Sequence, residues 1–221
     1  RGLGDVYKRQ TITNYRIAVL LSGSGSNLQA LIDARATGTL PAEIALVVCD
    51  RAAAYGIQRA LSNNIPAIFA PLNRPRHGPS RAAWELQLAD LINLFAVDLV
   101  LLSGFMRVLS ASFLERCYAP VINQHPALLP DGGGENVTVD GITIPALRGA
   151  HVVADALRLG LPITGCTIHR ATPIVDDGPI LARASVPVLP GDDEAVLHER
   201  IKAEERRLIV EVVARLAGEA V

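Results

Sequence analysis

The hydrophobic positions fall into short, dense runs separated by amphipathic stretches. Tyr15 to Leu21 (YRIAVLL), Glu43 to Asp50 (EIALVVCD), Ile65 to Pro71 (IPAIFAP) and Val97 to Gly104 (VDLVLLSG) are four such runs. Each has strand length and is apolar on both alternating faces, the pattern of a strand covered from both sides. Between them, Asn27 to Ala36, Ala52 to Asn64 and Ser80 to Ala96 carry apolar residues at helical spacing, with Ser80 placed as an N-cap. The β-α-β-α-β-α-β alternation predicts an α/β fold, a doubly wound and mainly parallel sheet with helices on both faces.

Beyond residue 110 the pattern loosens. Ala119 to Pro126 (APVINQHP) contains a short strand, Gly149 to Gly160 reads as a helix, and Ile163 to Arg170 (ITGCTIHR) as a strand. Pro179 to Val188 reads as a further strand of antiparallel sense, and the remainder as a long closing helix with Asp192 near its start. Between Leu129 and Gly149 lies a polar, glycine-rich stretch in which VTV and ITI flank Asp140-Gly141. Asp-Gly between two alternating runs predicts a hairpin, because a type I′ turn needs positive φ at both central residues. Residues 131–144 are therefore read as an inserted loop holding a small surface hairpin. The opening segment RGLGDVYKRQ resembles a translated sequencing adapter, so residues 1–13 are set apart as extraneous and 14–221 are read as one domain.

Of 221 residues, half are hydrophobic, enough for a substantial core, and 21 basic against 22 acidic residues leave a net charge of −1. That balance gives no reason to expect a nucleic-acid or membrane partner. Cys49, Cys117 and Cys166 each lie in or beside an apolar run, as buried, reduced thiols do in the cytoplasm. The histidines have no partner set of the kind a metal site needs, and His169, on a strand, is assigned a satisfied packing role.

Two places carry candidate chemistry. The loop Ser22 to Asn27 (SGSGSN) joins a strand to a helix and can expose backbone N–H groups at the helix N-terminus, where an anion is favoured. It is neither a Walker loop nor a complete dinucleotide fingerprint, and a plain strand-to-helix turn would look the same. Asn123 and His125, two apart in an extended segment, project to one side of a strand end. Asp176 and Asp177, before Gly178-Pro179, offer a carboxylate that could orient or charge an imidazole. An amide donor, a histidine and a carboxylate suit acyl transfer. A hydrogen-bonded turn is the plainer reading of each.

LLSGSGSNLQALI, VDLVLLSGFMRVLS, INQHPALLP, ITGCTIH, VDDGPILA and GDDEAVLHERIKAEERRLI, in this order over residues 15 to 218, resemble the glycinamide ribonucleotide formyltransferases, a folate-dependent family. The resemblance implies transfer of a formyl group from 10-formyltetrahydrofolate, as co-substrate and without a metal, to the amine of N1-(5-phospho-D-ribosyl)glycinamide in purine biosynthesis. It implies Asn123, His125 and Asp176 as the catalytic trio, the aspartate being the one followed by a variable residue and Gly-Pro. Gly25, Ser26, Asn27 and Arg81 match the residues at the substrate phosphate, and Glu205 a glutamate at the glycinamide. Met106, Arg107, Val108 and Leu109 match the folate-pocket segment. Small-molecule substrates, a cytoplasmic location and a possible homodimer complete the picture. Residue by residue, Arg81 and Glu205 also read as solvated helix charges, and 106–109 as a core turn. The stretch after Leu129 is longer than the family's usual loop, and PALRG replaces a Pro-Gly segment; surface decoration is favoured over a lid. A formyltetrahydrofolate hydrolase and a methionyl-tRNA formyltransferase are the neighbouring alternatives; neither the regulatory domain of the first nor the C-terminal domain of the second is visible. A binding protein without turnover is the alternative from another class.

Overall fold

The computed structural model describes residues 15–72 and 80–220; the segment 1–13, read as extraneous, and His77 lie outside them. Seven strands form one sheet in the order β3-β2-β1-β4-β5-β8-β9. They are β1 (Arg16–Leu21), β2 (Glu43–Cys49), β3 (Ala67–Phe69), β4 (Leu99–Leu102), β5 (Val121–His125), β8 (Ile163–Arg170) and β9 (Ile180–Pro187). The first five run parallel; β8 joins β5, and β9 joins β8, antiparallel.

Alternation along each strand splits the core in two. On one face Ile17, Val19 and Leu21 pack with Leu28 and Leu31 of α1 (Ser26–Ala36) and with Leu197, Ile201, Leu208 and Val212 of α6 (Glu194–Glu219). On the other, Ala18 and Leu20 pack with Trp84, Leu88 and Ile92 of α3 (Arg81–Leu94) and Phe113 of α4 (Ala111–Arg116). Ser80 caps α3, accepting from the Ala83 N–H at 3.2 Å. The helix expected over Ala52 to Asn64 is the shorter α2 (Tyr55–Ser62). At the closing helix the cap is Asp193, next to the expected Asp192, and it accepts from the Val196 N–H at 2.8 Å.

After β1 the chain winds outward through β2 and β3, then crosses back to β4 on the other side of β1. The loops leaving β1 and β4 therefore diverge, opening the crevice in which parallel sheets hold ligands. Hydrogen bonds tie its two lips: Ser22 N–H donates to the Gly104 carbonyl at 3.0 Å, and Met106 N–H to Ser22 Oγ at 2.9 Å.

The inserted stretch forms a separate ribbon, β6 (Asn136–Val139) and β7 (Ile142–Pro145), turning at Asp140 and Gly141, both with positive φ (53° and 77°). It is more than surface decoration. Val137 and Ile144 are buried against Leu128, Leu161 and Ala156 of α5 (Val152–Arg158). Asp140 accepts from the Ser185 hydroxyl of β9 at 2.7 Å.

Candidate active site

Asn123 and His125 stand on the same side of β5, where the strand pairs with β8 so that Asn123 lies opposite His169 and His125 opposite Thr167. The turn after β8 folds Asp176 onto this group. Asp176 has φ +54°, a left-handed conformation that an aspartate tolerates better than most residues. Its carboxylate accepts from Asn123 Nδ2 at 3.4 Å and from the Gly149 N–H at 3.1 Å, and lies 3.4 Å from His125 Nδ1. The three expected catalytic residues thus converge, and Asp176 rather than Asp177 is the carboxylate among them.

Two further groups complete the cluster. His169, assigned to packing from sequence, places Nε2 3.1 Å from Asn123 Nδ2 and 3.6 Å from Asp176 Oδ1. Its Nδ1 donates to the Arg170 carbonyl at 2.9 Å, so Nε2 accepts from the asparagine and fixes which way that amide points. The segment after the ribbon also closes on the site. His125 Nε2 donates to the Leu147 carbonyl at 2.9 Å, and Arg148 donates to the carbonyls of Asp176 at 3.3 Å and Gly134 at 2.8 Å.

Burial decides the charges. His125 is 3% exposed, and desolvation outweighs the pull of Asp176, holding the imidazole below its ordinary pKa. Burial pulls Asp176 upward, but the neighbouring His169 and His125 and the Gly149 N–H outweigh it, so its carboxyl stays below the usual range. A neutral imidazole that donates through Nε2 beside an ionised carboxylate is the resting arrangement.

The glycine loop stands beside this group. Gly25 is the N-cap of α1 with φ +70° and no side-chain cap, which leaves the first N–H groups of the helix for an anion. A Cβ on Gly25 would lie 2.7 Å from Gly56 Cα, so only glycine fits the close approach to α2. Asn27 Nδ2 donates to Gln124 Oε1 at 3.1 Å, which joins the loop to the residue between Asn123 and His125. Asn27 also bonds Glu205, whose carboxyl burial pushes up to about 7. Glu205 is buried against this loop rather than lying as a solvated charge on α6. A sequence signal for this exists: Leu197, Ile201, Glu205 and Ile209 recur every four residues, so the glutamate interrupts the apolar stripe.

The segment after β4 offers a different surface. Met106 and Val108 are exposed and Leu109 is buried. Arg107 forms a 2.6 Å ion pair with buried Asp50. Arg81 bonds Glu85 at 2.9 Å and the Val108 carbonyl, so its contacts belong to the 106–109 segment rather than to the glycine loop. Among the described residues no group of three or more potential ligands is arranged to hold a metal ion, and no helix is long and apolar enough to cross a membrane.

The chain is similar to known proteins in sequence and fold. The formyl transferase family model matches residues 15–213. A phosphoribosylglycinamide formyltransferase of Mycobacterium tuberculosis is 43% identical over 93% of this chain and 86% of its own. Among solved structures, glycinamide ribonucleotide transformylase 1 of Symbiobacterium toebii superposes with TM-score 0.81 at 36% identity, covering 98% of this chain and 92% of its own. The corresponding Geobacillus kaustophilus structure gives 0.77 at 35% identity over 92% and 99%.

Proposed function

We infer the working of the site from the premise that the chain belongs to the formyl transferase family. It transfers a folate-borne formyl group to the amine of N1-(5-phospho-D-ribosyl)glycinamide, a reaction of purine (IMP) biosynthesis. We take the donor to be 10-formyltetrahydrofolate, and residues 14–221 to act as one formyltransferase domain. Three buried, unpaired cysteines, with Cys166 pushed up to about 12 by burial, suit a reducing cytoplasm.

The observation that carries the site reading is the convergence of Asn123, His125 and Asp176. When the substrate amine attacks the formyl carbon, negative charge develops on the formyl oxygen. As the long contact to Asp176 and the bond to Leu147 give way, Asn123 Nδ2, aimed by His169, and His125 Nε2 are the donors suited to receive it. A nearby negative charge raises an imidazole pKa, so the developing oxyanion draws His125 toward its charged form. The proton that leaves the amine charges His125 at Nδ1, where Asp176 supports it, and it passes to the folate nitrogen as the tetrahedral intermediate collapses and the formyl carbon–nitrogen bond of the donor breaks. Gly25, Ser26 and Asn27 cradle the substrate phosphate, and Glu205 faces the glycinamide. Met106 to Leu109, with two exposed apolar side chains, offer an apolar wall to the folate. Arg81 braces that wall through Val108.

The test is turnover of 10-formyltetrahydrofolate with and without the nucleotide. Deformylation only when the nucleotide is present is expected; deformylation without it makes the chain a hydrolase. Asn123→Ala and His125→Ala should each lower kcat about a hundred-fold or more while leaving thermal unfolding cooperative. Near-normal turnover by folded His125→Ala would overturn its role.

A further inference from the structure

Gln124 sits between Asn123 and His125 but faces the opposite side of β5. Its row there is apolar: Ile122 precedes it, Ile168 is its partner on β8, and both belong to the core. Gln124 is itself 6% exposed. A primary amide in such a row weakens the fold unless its donors and acceptor are met. Only the oxygen is met. Gln124 Oε1 accepts from Asn27 Nδ2 at 3.1 Å and from Ser103 Oγ at 3.2 Å, while Nε2 has no partner among the described residues. An aliphatic side chain would fill the row without stranding a donor, so packing does not account for the glutamine.

The oxygen's partners do account for it. Asn27 ends the glycine loop and opens α1; Ser103 follows β4 on the far side of the crevice. One acceptor therefore joins the loop after β1, the end of β4 and the middle of the strand that carries Asn123 and His125. We propose that Gln124 is a positioning residue, which holds the phosphate cradle in fixed register with Asn123 and His125 so that a nucleotide anchored by its phosphate presents its amine to them. The inference rests on the site reading given above. It predicts a contribution confined to substrates held through a phosphate, because the strut acts on where the anchor lies and not on the reacting groups.

The experiment compares kcat/KM for the phosphorylated glycinamide nucleotide and for its dephosphorylated riboside, in the wild type, Gln124→Met and Gln124→Leu. Both substitutions keep an apolar side chain of suitable size and remove the acceptor, and making both guards against one failing to fold. The expected result is a loss of about ten-fold on the phosphorylated substrate, less than about two-fold on the riboside, and an unchanged KM for the folate. In an Asn27→Ala background the same substitutions should cost less than about two-fold, since the link to the glycine loop is already gone and only Ser103 remains on the acceptor. Equal losses on both substrates, or an undiminished loss without Asn27, overturn the positioning role alone. If the wild type does not distinguish the two substrates, the phosphate cradle reading fails and this proposal falls with it.

Discussion

Glu205→Gln tests whether the buried glutamate is held in its neutral form by the fold. A carboxyl ordinarily near 4.5 is held here at about 7, chiefly by burial and against the hydrogen bond from Asn27. Because the folded pKa lies above the unfolded one, the folded state binds the extra proton between these values. Stability from this group is complete below pH 4.5 and is lost as pH rises through 7. Full ionisation costs ~3 kcal/mol, of which ~2.5 kcal/mol falls between about pH 5 and about pH 8.5. Glutamine has nearly the shape of the protonated acid, keeps an oxygen for Asn27 and does not titrate. The variant should therefore exceed the wild type by less than ~1 kcal/mol near about pH 5 and by ~3 kcal/mol near about pH 8.5, a gap that widens by ~2.5 kcal/mol. Urea unfolding at the two pH values reads this directly, and for a domain of this size the gain should appear as a melting point higher by roughly 5–10 °C. Other titrating groups cancel in the comparison. A difference between variant and wild type that does not change with pH would show that Glu205 is ionised in the folded protein, and the argument from its burial would collapse.

Gly25→Ala forces a Cβ against Gly56 at a left-handed residue, so the loop must shift; the KM for the nucleotide should rise about ten-fold or more with the folate KM unchanged, as steady-state titrations would show. Ile144→Ala removes a buried side chain from the ribbon's contact with Leu128, Ala156 and Leu161. Chemical denaturation should find it ~2–4 kcal/mol less stable, whereas a merely decorative ribbon would show almost no change.

The parallel half of the fold was legible because β1, β2 and β4 are apolar on both faces, a pattern the helices between them do not share. The six-residue α4 escaped notice: it is too short to establish a period, and only its Ser110 cap marks it. Asn123 and His125 could be paired from their spacing, since alternation fixes their common side. Spacing could not choose between Asp176 and Asp177; the resemblance chose, and the left-handed turn shows how the first comes to face inward. His169 was legible as a buried, satisfied strand histidine, but not its bond to Asn123, which depends on the β5–β8 register and joins residues 46 apart in sequence. Gln124 was hidden for the same reason, by partners on two other elements. The Leu147 carbonyl has no sequence signature at all, because every residue carries one.

That carbonyl has a consequence of its own. Here Nε2 of His125 is already occupied by a peptide oxygen, an acceptor of the same chemical type as a formyl oxygen. On the proposed mechanism, an incoming formyl group would trade places with Leu147 and would not open an empty socket. The imidazole proton would then never be stranded in a dry interior, and admitting the donor would be an exchange between near equals.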